Sequence, residues 1–344
     1  MSFVILNMSL FTSILIPVYN GEEVIGETLK SILSQDFSDF EILVCDDAST
    51  DKTLEVVKSF TDKRIKLFPN RQNLGYPRNL ERCRKLATGE IIFLMGQDDI
   101  LAKGSLKKTV EAFSLSPDIG AVTRPYFWFD KEISVPVRAK EQLNPDKNEI
   151  VNINDSPKKV ITVFKTLDQL SGLAYRRAFM DLPFHEDIFP CHVYPFASIF
   201  KRHPVVFLKD YTVAVRIGTS QSRKISALYR KSPLETWVKM VETVFSERKF
   251  KNIRRYLIGD FIAKNYVGLV QIKNYGCFSW LLREIGFLIK YRPKNLFSLP
   301  FWFFAVGSVL TPARTLIPLV DRYKNSVNAK MIKPIKFDYS LKWK

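Results

Sequence analysis

The chain runs to 344 residues, 46% of them hydrophobic and 25% charged, with 14 glycines and 18 prolines. That composition excludes a disordered chain and leaves room for one large domain, or a domain with an appendage. The net charge of +17 is unevenly placed: residues 1–200 carry 24 Lys and Arg against 27 Asp and Glu, and residues 201–344 carry 28 against 8. A near-neutral front and a strongly basic back imply two jobs, and basic segments of this kind seek phosphates, in nucleic acid or in anionic lipid.

Met1 to Val18 is apolar but lacks a basic n-region and a small-residue cleavage site, so it reads as leading into a buried strand rather than as a signal peptide. Residues 12–18 suit a parallel strand covered on both faces. After the Asn20-Gly21 turn, Val24, Ile25, Leu29, Ile32 and Leu33 fall at helical spacing. Residues 40–45 predict a second strand ending at Asp46-Asp47, with Ser49 or Thr50 as cap of a helix running to about Phe60. A third strand over 64–68 leads to Asn70, and Pro77 opens a helix carrying Leu80, Cys83 and Leu86. Residues 90–95 are a fourth strand, and another helix follows Gly104.

This alternation predicts a doubly wound, mostly parallel α/β sheet, with ligands beyond the carboxyl ends of its strands. Residues 125–170 read as loops, residues 205–217 as strand-like, and the chain beyond about 225 as helical, basic and aromatic. Cys45, Cys83, Cys191 and Cys277 form no CxxC pair or zinc spacing, which implies free thiols and a reducing compartment.

Asp46-Asp47 and Asp98-Asp99 each follow an apolar strand, so the two pairs are expected to converge on one crevice. Carboxylates gathered in this way repel unless a cation or hydrogen-bond donors meet them. A divalent cation held by one or two of them, with phosphate oxygens completing its shell, would serve a diphosphate leaving group. Either pair alone is also a common turn or helix cap.

Ser13-Ile14-Leu15-Ile16-Pro17-Val18-Tyr19-Asn20, Phe40 to Asp51, Asn73-Leu74-Gly75, Arg78-Asn79, Ala87-Thr88-Gly89-Glu90 and Asp98-Asp99 together closely resemble the family 2 glycosyltransferases. The resemblance is dense over residues 11 to about 122 and fades by about 220. It implies a GT-A-like fold in which Pro17 and Tyr19 line the base pocket of a nucleotide-sugar, UDP-sugars being favoured. Asp47 would accept a hydrogen bond from the base with Asp46 beside it, and Arg78 would lie near base and diphosphate. Asp98 would contact ribose or sugar, and Asp99 with Asp98 would hold Mg²⁺ or Mn²⁺. It further implies a metal-dependent, hexosyltransferase-type, inverting enzyme of surface-polysaccharide assembly, such as O-antigen or capsule. The corresponding domains are 1–222, divided at about 122 into nucleotide-sugar and acceptor halves, and a basic helical extension over 223–344.

An inverting transfer needs a general base for the acceptor hydroxyl. The family usually supplies it from a Glu-Asp motif, but aligning Phe184-His185-Glu186 puts His192-Val193 at that place. His192 could serve, since imidazole titrates near working pH. Glu186 or Asp187 could serve instead. The family's late His is also skipped at Val215-Arg216-Ile217-Gly218-Thr219-Ser220, where Arg216 could cover the diphosphate charge or be a surface residue.

Asn295 to Ala313 is an uncharged, aromatic run broken by Pro300 and Pro312, and Trp280, Leu281, Leu282, Ile285, Leu288 and Ile289 form an apolar helix face upstream. These fit an interfacial or re-entrant segment better than a spanning helix, with the enzyme peripheral on the cytoplasmic face of the cell membrane and acting on a lipid-linked or oligosaccharide acceptor. The alternative is a helical subdomain packed on the catalytic domain. Two other functions stay open: a catalytically inactive partner or sugar-binding subunit, and a nucleic-acid-binding protein, although no specific nucleic-acid motif is present. The absence of GxGxxG after the first strand excludes a dinucleotide-dependent dehydrogenase.

Overall fold

A computed structural model of the chain describes residues 10–218, 226–316, 318 and 335–342. The apolar start before Leu10, and Thr219 and Ser220, lie outside the described residues. The expected order holds through the first half: β1 (Thr12–Val18), α1 (Ile25–Leu33), β2 (Phe40–Asp46), α2 (Thr53–Lys58), β3 (Ile65–Pro69), α3 (Tyr76–Leu86) and β4 (Ile91–Leu94). These four strands pair in parallel in the order β3-β2-β1-β4. The apolar runs of β1, β2 and β4 follow from burial on both faces, whereas the edge strand β3 is only partly covered. Leu15, Leu43, Ile92 and Leu94 pack with Leu80 and Cys83 of α3 on one side. The alternate residues Ile14, Ile16, Ile42, Val44 and Phe93 pack with Ile25, Leu29 and Val57 of α1 and α2 on the other.

The second half differs from the expectation of loops over 125–170. After β5 (Ile100–Leu101) and α4 (Ser105–Ser114) come β6 (Ala121–Thr123), β7 (Phe127–Phe129), β8 (Pro136–Ala139), β9 (Glu149–Val151), α5 (Pro157–Lys165), β10 (Ala174–Arg176), α6 (Val193–Phe200), β11 (Val205–Phe207) and β12 (Val213–Arg216). The main sheet continues as β4-β10-β6-β11-β9, in which β10 runs antiparallel to both neighbours and β9 antiparallel to β11. The sheet is therefore parallel from β3 to β4 and mixed from β10 to β9. A smaller sheet, β5-β12-β7-β8, flanks it, and its Phe127 and Phe129 are covered by Ile335, Phe337 and Leu341 near the C-terminus.

Helices Pro233–Val244, Val267–Tyr275, Phe278–Tyr291 and Leu299–Leu310 follow. Leu234, Val241, Leu269, Leu281, Leu288 and Phe301 join the same apolar cluster as β1, α3, α5 and α6. The C-terminal helices thus pack against one face of the α/β core. All four cysteines are free.

Candidate active site

Parallel register brings Pro17 opposite Cys45 and Val18 opposite Asp46, so the loops after β1 and β2 leave the sheet side by side. They are laced together. The Asn20 amide donates to Ser49 Oγ at 2.9 Å, Thr50 N donates to Asn20 Oδ1 at 2.9 Å, and Gly21 N donates to Thr53 Oγ1 at 2.8 Å. Ser49 and Thr50 are therefore spent on this lacing rather than on capping α2, whose N-cap is Lys52. Asn20 and Ala48 both take positive φ, 48° and 59°, as each loop turns out of the sheet.

Asp47 is buried and accepts three hydrogen bonds: from Asn70 Nδ2 at 2.7 Å, from Leu74 N at 2.8 Å and from Gly75 N at 2.9 Å. It shapes the 70–75 turn. Asp46 accepts from Ser49 N at 3.1 Å through Oδ2, and its buried Oδ1 has no hydrogen-bond partner among the described residues. Half-buried Tyr19 is held by its backbone, which donates to Gln97 Oε1 at 2.8 Å and accepts from Gln97 Nε2 at 3.3 Å.

The second carboxylate pair lies just beyond β4. Thr28 Oγ1 donates to the carbonyls of Gln97 at 2.8 Å and Asp99 at 2.9 Å, pinning this turn to α1. Asp99 is buried; its Oδ1 accepts from Arg216 N at 3.0 Å and its Oδ2 from Ser171 Oγ. Burial, and then the neighbouring charge of Asp98, push the Asp99 carboxyl up to about 8. A Cβ placed on Gly96 would sit 2.8 Å from Asp99 Oδ2 and 3.3 Å from Asp98 Oδ1, so the two carboxylates close over a space that only glycine leaves open. Arg216 also donates through Nε to the Asp98 carbonyl at 3.2 Å and through Nη2 to Glu27. It braces the acidic turn rather than standing free at the surface.

The three residues expected to supply the base have different surroundings. His192 is buried at the start of α6: its Nε2 donates to the Leu167 carbonyl at 2.9 Å and its Nδ1 is enclosed without a partner among the described residues. Burial, against the pull of that hydrogen bond, lowers the imidazole to about 4. Asp187 is also buried. Burial would raise its carboxyl, but Lys231 at 3.0 Å and Lys239 at 3.7 Å outweigh that and hold it below the ordinary range. Glu186 is exposed and pairs with Arg78 at 3.0 Å, an exposed contact that joins α3 to the loop before α6. His192 and Asp187 are both enclosed, and Arg78, itself largely exposed, is paired with Glu186.

Residues 13–167 match the family described as Glycosyl transferase family 2. The matched domain belongs to glycosyltransferase family 2. UDP-Glc:alpha-D-GlcNAc-diphosphoundecaprenol beta-1,3-glucosyltransferase WfgD of Escherichia coli is 26% identical over 265 residues, which cover 76% of this chain and 91% of that protein. EpsE of Bacillus subtilis is 38% identical over 101 residues, covering 28% of this chain but only 36% of EpsE. The crystal structure of Staphylococcus aureus TarS 1–349 in complex with UDP-GlcNAc superposes with a TM-score of 0.64 at 18% identity, covering 91% of this chain and 92% of that one. That likeness establishes the GT-A fold. The family 2 match takes in Tyr19, Asp47, Arg78, Asp98 and Asp99 and stops before Ser171, Glu186, His192 and Arg216. Two residues that hold the site were missed in the sequence: Ser171 carried no signal there, and Gln97 only its place beside Asp98-Asp99.

Proposed function

We propose that this chain transfers a sugar from a nucleotide-diphosphate-sugar, UDP-linked, to a hydroxyl of a lipid-linked or oligosaccharide acceptor, with inversion, in the assembly of a surface polysaccharide such as O-antigen or capsule. One observation carries this reading: Asp98 and Asp99 converge over Gly96, and Gln97 beside them is hydrogen-bonded to the backbone of Tyr19 just after β1. The names of WfgD and of the TarS complex, with their UDP-sugars, favour a uridine donor.

The acidic turn fits a divalent cation. Two carboxylates this close, one of them buried, call for positive charge. Among the described residues no group of three or more His, Cys, Asp or Glu could enclose an ion alone, so donor phosphates would complete the shell. Asp99, with Asp98 beside it, would hold Mg²⁺ or Mn²⁺, whose chemistry there is to neutralise the departing diphosphate. Tyr19 and Pro17 would bound the base, Asp47 and Asp46 would lie at its edge, and Arg78 would bound the pocket's outer side.

The acceptor side supports a membrane surface. Helix Leu299–Leu310 buries Phe301, Ala305 and Ser308 against the core, yet its opposite face exposes Leu299 (85%), Phe303 (75%) and Leu310 (74%), with Phe297 (91%) just before it. These exposed apolar side chains, with Lys290, Arg292, Lys294 and Arg314 flanking the helix in sequence, suit anionic headgroups. Among the described residues no helix is long and apolar enough to cross a membrane. We place the enzyme on the cytoplasmic face, peripheral to the bilayer.

The test is transfer itself. The intact protein is incubated with a panel of UDP-sugars, a polyprenyl-diphosphate-linked sugar and Mn²⁺, with an EDTA control. One donor should extend the acceptor, and EDTA should stop it. Failure of every donor to be transferred or hydrolysed would overturn the reading.

A further inference from the structure

Family 2 relatives were expected to place a base at the start of α6, and here that place holds His192, turned inward. Its Nε2 ends on the carbonyl of Leu167 at 2.9 Å. That contact directs attention to the loop from the end of α5 to β10, residues 166–173. At its far end Ser171 Oγ donates to Asp99 Oδ2, and Gly172 N donates to the Leu94 carbonyl of β4 at 2.9 Å. The loop therefore runs from the N-terminus of α6 to the acidic turn, and Asp168 lies on it between the two anchors.

Asp168 differs from the other carboxylates nearby. Its side chain is 43% exposed, whereas that of Asp187 is enclosed between Lys231 and Lys239. It is also oriented. Tyr126 Oη donates to Oδ1, and Lys140 Nζ lies 2.7 Å from Oδ2. Tyr126 is buried in the body of the protein, so it ties Asp168 to the core three residues before Ser171 reaches Asp99. Each carboxylate oxygen keeps a second lone pair for an incoming hydroxyl.

We propose that Asp168 is the general base of the transfer. Its carboxylate takes the proton of the acceptor hydroxyl as the oxygen lone pair forms the new bond to the anomeric carbon. The bond from that carbon to the diphosphate oxygen breaks, and its electron pair leaves with the nucleoside diphosphate. His192 is a positioning residue: by bonding the Leu167 carbonyl it fixes the backbone next to Asp168. The assignment rests on glycosyl transfer being the reaction.

Asp168→Asn tests it, with donor binding and turnover measured separately on the intact chain. Transfer should fall at least about 100-fold in kcat, the range of a lost general base, while UDP-sugar affinity in Mn²⁺ stays within about twofold of the parent. Asp168→Glu should recover part of the loss, a rescue that a purely structural residue would not show. Turnover of Asp168→Asn within about threefold of the parent would overturn the assignment while leaving glycosyl transfer intact. A parent protein that binds and transfers no donor would remove the reaction, and the assignment with it. If Asp168→Asn does not fold, Asp168→Glu decides alone: a kcat lowered about tenfold at unchanged donor affinity supports the base, and an unchanged kcat contradicts it.

Discussion

Gln97 holds Tyr19 by its backbone, accepting from the Tyr19 amide at 2.8 Å and donating to the Tyr19 carbonyl at 3.3 Å. The pair links the loop after β1 to the acidic turn after β4, so it ties together the proposed base-binding and metal-binding ends of the site. A hydrogen-bonded side chain of this kind contributes about 1 kcal/mol, and its loss should appear in binding more than in chemistry. Gln97→Ala should raise the donor KM about fivefold and change kcat little. A fall in kcat with KM unchanged would mean that Gln97 acts on the reacting atoms instead.

Gly96 is needed for room rather than for an unusual backbone angle. A methyl group there would lie 2.8 Å from Asp99 Oδ2 and 3.2 Å from Ser171 Oγ. Gly96→Ala should therefore displace the Asp99 carboxylate, at a cost in stability of about 1–3 kcal/mol, and weaken activation by Mn²⁺. The readout is the Mn²⁺ concentration giving half-maximal activity, beside a urea melt. An unchanged metal response would show that the Asp98 and Asp99 carboxylates do not work over this space.

Glu41 predicts the acid behaviour of the fold. It accepts from Ser13 Oγ at 2.6 Å, from Thr88 N at 2.9 Å and Oγ1 at 2.8 Å, and from Lys66 Nζ at 2.7 Å. Burial alone would raise this carboxyl, but the bonds from Lys66, Ser13 and Thr88 prevail and bring it from 4.5 to about 2. A depressed folded value gives stability that is complete above pH 4.5 and is lost as the pH falls towards about 2. Solvent screening of Lys66 keeps the contribution to about 2 kcal/mol. Glu41→Gln should lower stability at neutral pH by that amount and flatten the dependence of the urea midpoint between pH 4.5 and about 2. An equal slope in both proteins would contradict it.

The exposed face of Leu299–Leu310 should bind lipid. Each large apolar side chain transferred into a bilayer surface contributes about 1.5–3 kcal/mol. Replacing Phe303 and Leu310 together by Ser should weaken sedimentation with vesicles of anionic phospholipid at least about tenfold. Leu115→Ser, at another exposed leucine, is the control and should bind as the parent does. Equal binding by all three proteins would remove the membrane face.

Much of this was legible beforehand where local pattern and burial agree. β1, β2 and β4 are runs covered on both faces, and such runs show in composition alone. The carboxylate pairs were legible because each ends such a strand. Part of the recognisable pattern proved to serve the scaffold: Thr88 caps Glu41, and a Cβ on Gly89 would lie 2.6 Å from Ser13 N. The stretch from β6 to β10 was not legible, although β11 and β12 fall where residues 205–217 read as strand-like. Its strands β6, β7, β9 and β10 hold three residues each, too few to show alternation, although Ser156-Pro157 does open α5 with a hydrogen bond from Lys159 N to Ser156 Oγ. Ser171 reaches Asp99 across 72 residues and Gln97 reaches Tyr19 across 78, contacts that no local window contains. The burial of His192 was hidden for a similar reason: a histidine at a helix start reads the same whether its ring faces outward or meets the Leu167 carbonyl.

Donor binding tests the central claim most directly. Titration calorimetry of UDP-sugars into the intact protein, with and without Mn²⁺, should find one donor that binds only with metal. Asp99→Asn, which keeps the shape and removes the charge, should weaken that binding at least about 30-fold, the loss expected when a carboxylate ligand to a cation is neutralised. Binding of equal strength without metal, or unaffected by Asp99→Asn, would contradict a metal-bound nucleotide-sugar at Asp98-Asp99.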